Sequence, residues 1–138
     1  MTTRHKNKTL ATLITIFFGS IGGHRFYLYG WQDTWGWVRF ATLPLSLGSM
    51  LMAPDLPWVF TAIPWILSAN VSIIETLVTG LMADEKWDAR HNPHSGQQTR
   101  SRWPLAVILV LAFASGTVFF FFILARTIDI LYTGGAYG

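Results

Sequence analysis

Apolar residues in this chain fall into four blocks that are separated by polar connections. The blocks cover residues 10–28, 35–53, 58–83 and 103–125. Each is close to the length that a helix needs to cross a hydrocarbon layer about 30 Å thick. The pattern therefore predicts an all-α protein, a polytopic helical membrane protein with about four transmembrane helices.

The composition supports this interpretation. The chain has 138 residues, of which 51% are hydrophobic and only 12% are charged, and its mean hydropathy is +0.39. The one long hydrophilic segment, residues 84–102, is too short to form a soluble domain. The net charge of +3 comes from basic residues scattered along the chain, which favours contacts with anionic lipid over nucleic acid. There is no cysteine, so disulfides and thiolate sites are excluded.

The first apolar block has two possible structures. A helix over residues 10–21 would cover only about 18 Å at 1.5 Å per residue. It must either continue through the glycines to Tyr29 or stop early and let the next segment re-enter the membrane. Gly19 and Gly23 have the small-xxx-small spacing of close helix contacts, but glycines can also simply end a helix. The basic tail and apolar run imitate a signal peptide, yet the apolar residues that follow favour a retained segment.

The third block contains a proline and a polar stripe. Pro64 is expected to kink the helix. Beyond it, hydroxyl and carboxyl side chains recur at helical spacing and should face other helices, because lipid offers them no hydrogen-bond partner. The members of this stripe are Ser68, Ser72, Glu75, Thr76 and Thr79. Ala112 and Gly116 form another small-residue pair in the fourth block.

Four spans would put both termini on one side of the membrane. That side would carry four basic residues and the other side six, while the basic tail favours the opposite orientation. The orientation therefore stays open. Arg39 lies near the start of the second block, and we expect it to extend to the headgroups as an interfacial anchor.

No enzyme motif is present, and no paired carboxylates share a helical face within a predicted span. His91 and His94 lie in or beside a predicted loop without a third ligand. We therefore predict no catalytic residue, no cofactor and no metal site.

One charged residue within a predicted span requires a partner of opposite charge. Glu75 is the only carboxylate inside a predicted span, and an ionised carboxylate there needs a cation. Arg25 can bind a carboxylate through two parallel hydrogen bonds. We predict that the Arg25 region packs against Glu75; the alternative is that both side chains reach the interface independently.

The N-terminal region resembles a known family, the small two-transmembrane TM2 domain family. The resemblance over residues 8–37 rests on Phe-Gly at 18–19, Gly-Gly-His-Arg-Phe-Tyr-Leu at 22–28 and Trp-Gly-Trp at 35–37. It resumes over residues 65–92, where Trp-Ile-Leu at 65–67 through Ile-Ile-Glu at 73–75 is similar to the apolar end of the family's second helix with its acidic residue, and it is absent after Arg100. Two features depart from the family pattern. Tyr29 stands where glycine is common, and the chain between Gly36 and Glu75 is long enough for two spans.

The resemblance implies a bacterial-type inner-membrane protein without established catalytic residues. It divides the chain into a TM2-like region with an expanded second half, residues 1–92, and an additional C-terminal helix and tail, residues 93–138. The residues expected to form the interaction motif are Gly19, Gly22, Gly23, His24, Arg25, Phe26, Tyr27 and Glu75.

Two functions fit these observations. The first is a non-enzymatic module that acts through helix–helix or lipid contacts, with the bilayer, a second copy or a larger membrane protein as partner. The second is a small oligomeric transporter or channel component with a polar path around Glu75. A sealed polar stripe favours the first function, and a water-accessible groove at Glu75 favours the second.

Overall fold

A computed structural model describes residues 4–136, and the described residues form helices and connecting turns without strands. The all-α prediction is therefore confirmed for this part of the chain. The outermost residues of the predicted tails, 1–3 and 137–138, lie outside it. The helices are α1 (Lys8–Phe18), α2 (Gly23–Tyr29), α3 (Thr34–Met52), α4 (Trp58–Thr61), α5 (Ile63–Leu81), α6 (Asp84–His91) and α7 (Trp103–Thr133).

Helix α5 lies at the centre, and α1, α3 and α7 pack around it. All three run antiparallel to α5. For α1, the start lies beside the residues that follow α5, since Lys8 Nζ is 2.9 Å from Asp84 Oδ1. For α3, the Ser46 hydroxyl accepts a hydrogen bond from the backbone N–H of Trp65 near the start of α5.

The first apolar block is a hairpin of two short helices. A 3₁₀ turn over Gly19–Ile21 follows α1, and the chain reverses at Gly22, which adopts the left-handed φ of 79° that glycine tolerates best. Helix α2 then returns along α1, so that the Tyr27 hydroxyl accepts a hydrogen bond from the backbone N–H of Asn7. Of the two structures left open by the sequence, the chain adopts the early stop.

The prediction of four spanning helices is not confirmed. Within residues 4–136, two helices are long and apolar enough to cross a membrane, Ile63–Leu81 and Trp103–Thr133. The first block is interrupted by its glycines, and α1 with its 3₁₀ turn is shorter than a span. Helix α3 has 19 residues, but Arg39, Pro44 and its small polar residues lower its hydropathy.

Two local expectations need correction. Pro64 does not kink a continuous helix: the helix breaks at Ala62, and Pro64 lies in the first turn of α5, where its missing N–H costs nothing. The hydrophilic segment 84–102 is not only a connection, because its first eight residues form α6.

The two ends of the described chain lie at opposite ends of the helix assembly. The start of α1 lies beside α6, whereas Ile130 near the end of α7 packs against Val59 and Ala62. The expectation that both termini lie on one side is therefore wrong for the described residues. The end formed by residues 4–8, α6 and residues 92–102 is called the basic end below.

Candidate functional site

Three charged or titratable side chains meet about two thirds of the way along α5. Glu75 Oε2 lies 2.7 Å from Arg39 Nη1 and 3.0 Å from His24 Nε2. The His24 and Arg39 side chains are only 5% and 13% exposed, and Glu75 is 29% exposed. We call these three residues the Glu75 cluster.

The position of Arg39 differs from the expected one. We expected an interfacial anchor, but its guanidinium lies in the Glu75 cluster and also donates to the carbonyl of Gly19 at 3.3 Å. A charge pair removed from water needs such additional hydrogen bonds to offset desolvation. Arg39 therefore joins α3 to both α5 and the 3₁₀ turn.

The Arg25 region packs against Glu75 as predicted, but through His24, and the predicted direct pair between Arg25 and Glu75 is wrong. Arg25 instead forms two hydrogen bonds with Asp33, from Nε to Oδ2 at 2.7 Å and from Nη2 to Oδ1 at 3.1 Å. Successive helical side chains point about 100° apart, so α2 can present only one of these two neighbouring side chains to α5. His24 takes that position, and Arg25 faces the turn before α3.

Asp33 has a second role at the start of α3. Its Oδ2 accepts a hydrogen bond from the backbone N–H of Gly36 at 2.7 Å, which caps the helix. The same carboxylate thus fixes the end of α3 and the guanidinium of Arg25.

The other predicted motif residues lie around this site. A methyl group on Gly22 would come within 2.5 Å of the Gly36 carbonyl oxygen, and one on Gly19 would collide with the Ser72 hydroxyl. Phe26 stacks on Trp31, with ring centroids 5.0 Å apart. The structure thus brings His24 and Glu75 together and gives the remaining residues contacts within the hairpin and to α3. The functional role of the set stays a prediction.

The polar stripe of α5 faces other helices, as predicted. The Ser68 hydroxyl donates to the Ser20 carbonyl at 2.6 Å, and the Ser72 hydroxyl donates to the Thr15 carbonyl at 2.8 Å. Thr76 is fully buried. These bonds attach α5 to α1 and its 3₁₀ turn.

A buried lysine, not expected from the sequence, holds the basic end together. Lys8 is 3% exposed, and its ammonium group donates to Asp84, to the Ser101 hydroxyl and to the Met82 carbonyl. Burial raises the pKa of Asp84, but hydrogen bonds from Ser101 and Lys8 outweigh that effect and hold the pKa below its ordinary value. Opposite charges 76 positions apart give no periodic signal that sequence reasoning could use.

The segment before α1 is fixed to α6 by backbone contacts. The carbonyl of Lys6 accepts from Trp87 Nε1 at 3.1 Å and from Asn92 Nδ2 at 3.0 Å, and its N–H donates to Asn92 Oδ1 at 2.7 Å. Trp87 is 1% exposed and packs on Ala11 and Leu28. The indole therefore lies inside the protein.

A groove of about 200 Å³ lies between α2, α5 and α6. Glu75 is its first residue along α5, so the groove leads from the basic end to the Glu75 cluster and includes none of the earlier residues of the stripe. Within residues 4–136, no group of three or more His, Asp or Glu side chains is placed to hold a metal. The groove is lined by His24, Arg25, Leu28, Tyr29, Glu75, Val78, Thr79, Met82, Trp87, Arg90 and His91.

Two apolar helices long enough to cross a membrane, one of them α5 with its internally bonded polar stripe, indicate the class of a small helical membrane protein. A family model for the TM2 domain matches residues 4–51, and the resemblance of the N-terminal region to this family is therefore confirmed. The match covers the hairpin and nearly all of α3; the extension of this region to residue 92 stays a prediction. Comparisons with curated proteins and with solved structures give no match.

Proposed function

We propose that this chain is a multi-pass protein of a bacterial inner membrane that acts without catalysis, as a module for helix–helix or lipid contacts. In this topology α3, α4 with α5, and α7 cross the bilayer, while α1 and α2 enter from the basic end and return to it. Exposed apolar side chains near the end of α3 support its crossing: Leu51 is 84% and Met52 is 89% exposed.

The distribution of basic residues supports one orientation. Seven of the ten lysine and arginine residues lie at the basic end, and cytoplasmic segments carry an excess of these residues. The basic end is therefore assigned to the cytoplasm. Its basic residues are Arg4, Lys6, Lys8, Lys86, Arg90, Arg100 and Arg102.

The observation that carries the interaction role is the bonding of the buried part of the polar stripe to neighbouring helical segments. Ser68 and Ser72 use their hydroxyl groups to bind carbonyls of the neighbouring 3₁₀ turn and α1. Polar side chains that join helices in this way stabilise an assembly. Arg39 and Glu75 do the same between α3 and α5. The polar residues thus act in holding helices together.

The groove at Glu75 is the one observation that favours a transporter or channel component. Because it leads only from the basic end to Glu75, a path across the membrane would require a second copy. Flux in liposomes, compared between the natural chain and Glu75→Gln, tests this alternative. A flux that is lost in the variant while the protein remains folded would support it over the interaction role.

Topology can be measured with single cysteines, because the chain contains none. Glu85→Cys lies in α6 at the basic end, and Tyr132→Cys lies near the end of α7, where Tyr132 is 84% exposed. In intact cells, a membrane-impermeant maleimide should label position 132 and leave position 85 unlabelled until the membrane is permeabilised. Labelling of both positions from the outside would contradict the proposed topology.

Crosslinking in native membranes, followed by purification, tests the interaction role. We expect a discrete product that contains a second copy or one membrane protein. A chain that gives only a monomer at crosslinker concentrations that capture a known membrane complex would contradict an interaction role with proteins and leave lipid as the partner.

A further inference from the structure

We propose that the groove between α2, α5 and α6 binds the phosphate group of an anionic lipid. This inference rests on the proposed function, because it requires the groove to open at the headgroup level of a membrane. It assigns the groove a ligand class, the phosphodiester of a lipid such as phosphatidylglycerol.

Two arginines at the groove have free hydrogen-bond donors. Arg25 uses Nε and Nη2 for Asp33, and its Nη1 has no hydrogen-bond partner among residues 4–136. Arg90 is exposed on α6 and forms no ion pair within the same range. Guanidinium groups present planar donors that match phosphate oxygens. A phosphate between α2 and α6 would receive donors from both sides.

A third polar group, the His24 ring, also lines the groove and is more deeply buried. His24 is 5% exposed, and its Nδ1 has no hydrogen-bond partner in the described part of the chain. Buried ring nitrogens are normally bonded, and a free one calls for a partner. In its protonated form His24 would offer this N–H to a phosphate oxygen while Nε2 stays beside Glu75.

Glu75 does not make the groove repel anions. Its carboxylate oxygen lies 2.7 Å from Arg39, which stands outside the groove lining, and 3.0 Å from His24. This arrangement offsets its charge before any ligand enters. Among the described residues, no other carboxylate lines the groove, and Arg90 contributes a positive charge that forms no ion pair there.

The depth and lining of the groove favour a lipid over a soluble phosphate. Glu75 lies six residues before the end of α5, about 9 Å along the helix at 1.5 Å per residue, so the groove spans the interfacial region. Apolar side chains from both walls, Leu28, Val78 and Met82, would contact the glycerol and upper acyl carbons. A free phosphate has no carbon atoms to contact these side chains.

Native mass spectrometry of the full chain in detergent can test the site. The probes are phosphatidylglycerol, phosphatidylcholine and inorganic phosphate, added separately. Arg90→Gln removes a groove donor, and Arg100→Gln is the matched control, since Arg100 is also exposed at the basic end but does not line the groove. We expect phosphatidylglycerol to bind about tenfold more weakly to Arg90→Gln than to the natural chain, with little change in Arg100→Gln.

Three results would overturn the proposal. Equal losses in the two arginine variants would show a diffuse charge effect, equal binding of phosphatidylcholine would show that the anionic group is not recognised, and tight binding of inorganic phosphate would show a soluble ligand. Extraction of membranes with alkaline carbonate separates this test from the proposed function. If the protein stays in the membrane but retains no lipid, only the lipid site fails; if it is extracted, the proposed function fails as well.

Discussion

The two sides of α5 are packed in different ways. On one side, Ser72 donates a hydrogen bond to the Thr15 carbonyl of α1. On the other side, Gly116 of α7 lies directly against Ile73, and a methyl group on that glycine would collide with it. The hydroxyl of Ser115 in α7 bonds only to carbonyls of its own helix.

This difference shows how position is specified within a membrane. Lipid chains are as apolar as leucine, so burial of apolar surface does little to hold helices together, and close packing and hydrogen bonds must do so. Directional bonds and charges fix the hairpin and α3 in one register against α5. The α7 contact depends on shape alone, so we expect it to tolerate substitutions that keep volume.

The largest effect should come from the charge that joins α3 to α5. Glu75→Gln keeps the shape but leaves Arg39 without its anion in a site where the arginine is 13% exposed. We expect a loss of about 3 kcal/mol in the free energy of unfolding, since removal of one partner leaves an uncompensated buried charge. Unfolding in detergent measures this change. Glu85→Gln, an exposed residue outside the described ion pairs, should change stability by less than about 0.5 kcal/mol.

The double variant Glu75→Gln/Arg39→Gln provides a further check. With both charges removed, the desolvation cost of the remaining ion disappears, and more than half of the lost stability should return. If the double variant is no more stable than Glu75→Gln, the pair does not hold α3 to α5.

The turn of the hairpin should be the next most sensitive position. Gly22→Ala forces an alanine into a left-handed backbone and brings its methyl group to 2.5 Å from the Gly36 carbonyl oxygen. We expect a loss of about 2 kcal/mol from the two effects together. Gly134→Ala is the matched control: its φ is 69° and it has open space around it. A thermal unfolding assay that finds equal losses in the two variants would exclude a contribution from the Gly36 contact.

A smaller effect should distinguish the hydrogen-bonded contact of α5 with α1 from its contact with α7. Ser72→Ala removes the hydrogen bond to the Thr15 carbonyl, in a site where Ser72 is 4% exposed, and should cost about 1 kcal/mol. Ser115→Ala removes a hydroxyl that bonds only within its own helix and should cost almost nothing. Denaturation of both variants in one detergent measures the difference. Similar costs would mean that α1 and α7 are not held differently.

The smallest effect should be a pH dependence of α6. Burial lowers the pKa of His91, and the positive charges of Arg90 and Lys6 lower it further. Because the pKa of His91 is lower in the folded protein, the unfolded form binds more protons. The stability that neutral His91 contributes is therefore fully present above a pH of about 6.5, and it is lost as the pH falls through the lower pKa of the folded protein. Hydrogen exchange of α6 amides, corrected for intrinsic rates, should show more frequent opening at pH 5.5 than at pH 7.5.

Two histidine variants identify the titrating group. His91→Gln should remove this pH dependence, because the ring beside Trp87, with centroids 4.3 Å apart, would be replaced by a side chain that does not titrate. His94→Gln, in the exposed segment after α6, should leave it unchanged. A dependence that survives in His91→Gln would assign it to another group.

The sequence predicts the parts of this fold that depend on local pattern. Apolar blocks predict the helices, and the spacing of Ser68, Ser72 and Thr76 predicts which face of α5 is internal. Gly22 and Pro64 mark the positions where the chain turns or breaks. These signals act over a few residues, and each has a direct steric or hydrogen-bonding cause.

Pairing between distant charges could not be predicted in the same way. The sequence offers Arg25, Arg39 and His24 as partners for Glu75, and bidentate chemistry alone favours Arg25. Which of them pairs with Glu75 depends on the side of α2 that faces α5 and on the position along α5 at which α3 begins. Both follow from the turn between α2 and α3. Asp33, as the cap of α3, takes Arg25 away from Glu75.

The buried ammonium group of Lys8 has a consequence for biogenesis. Its partners, Met82, Asp84 and Ser101, lie more than 70 residues later in the chain, so they leave the ribosome long after the first helix does. Until they emerge, this charge has only water or headgroups to solvate it. The opening segment should therefore wait at the membrane surface during synthesis and take its final place only when the later crossings have been inserted.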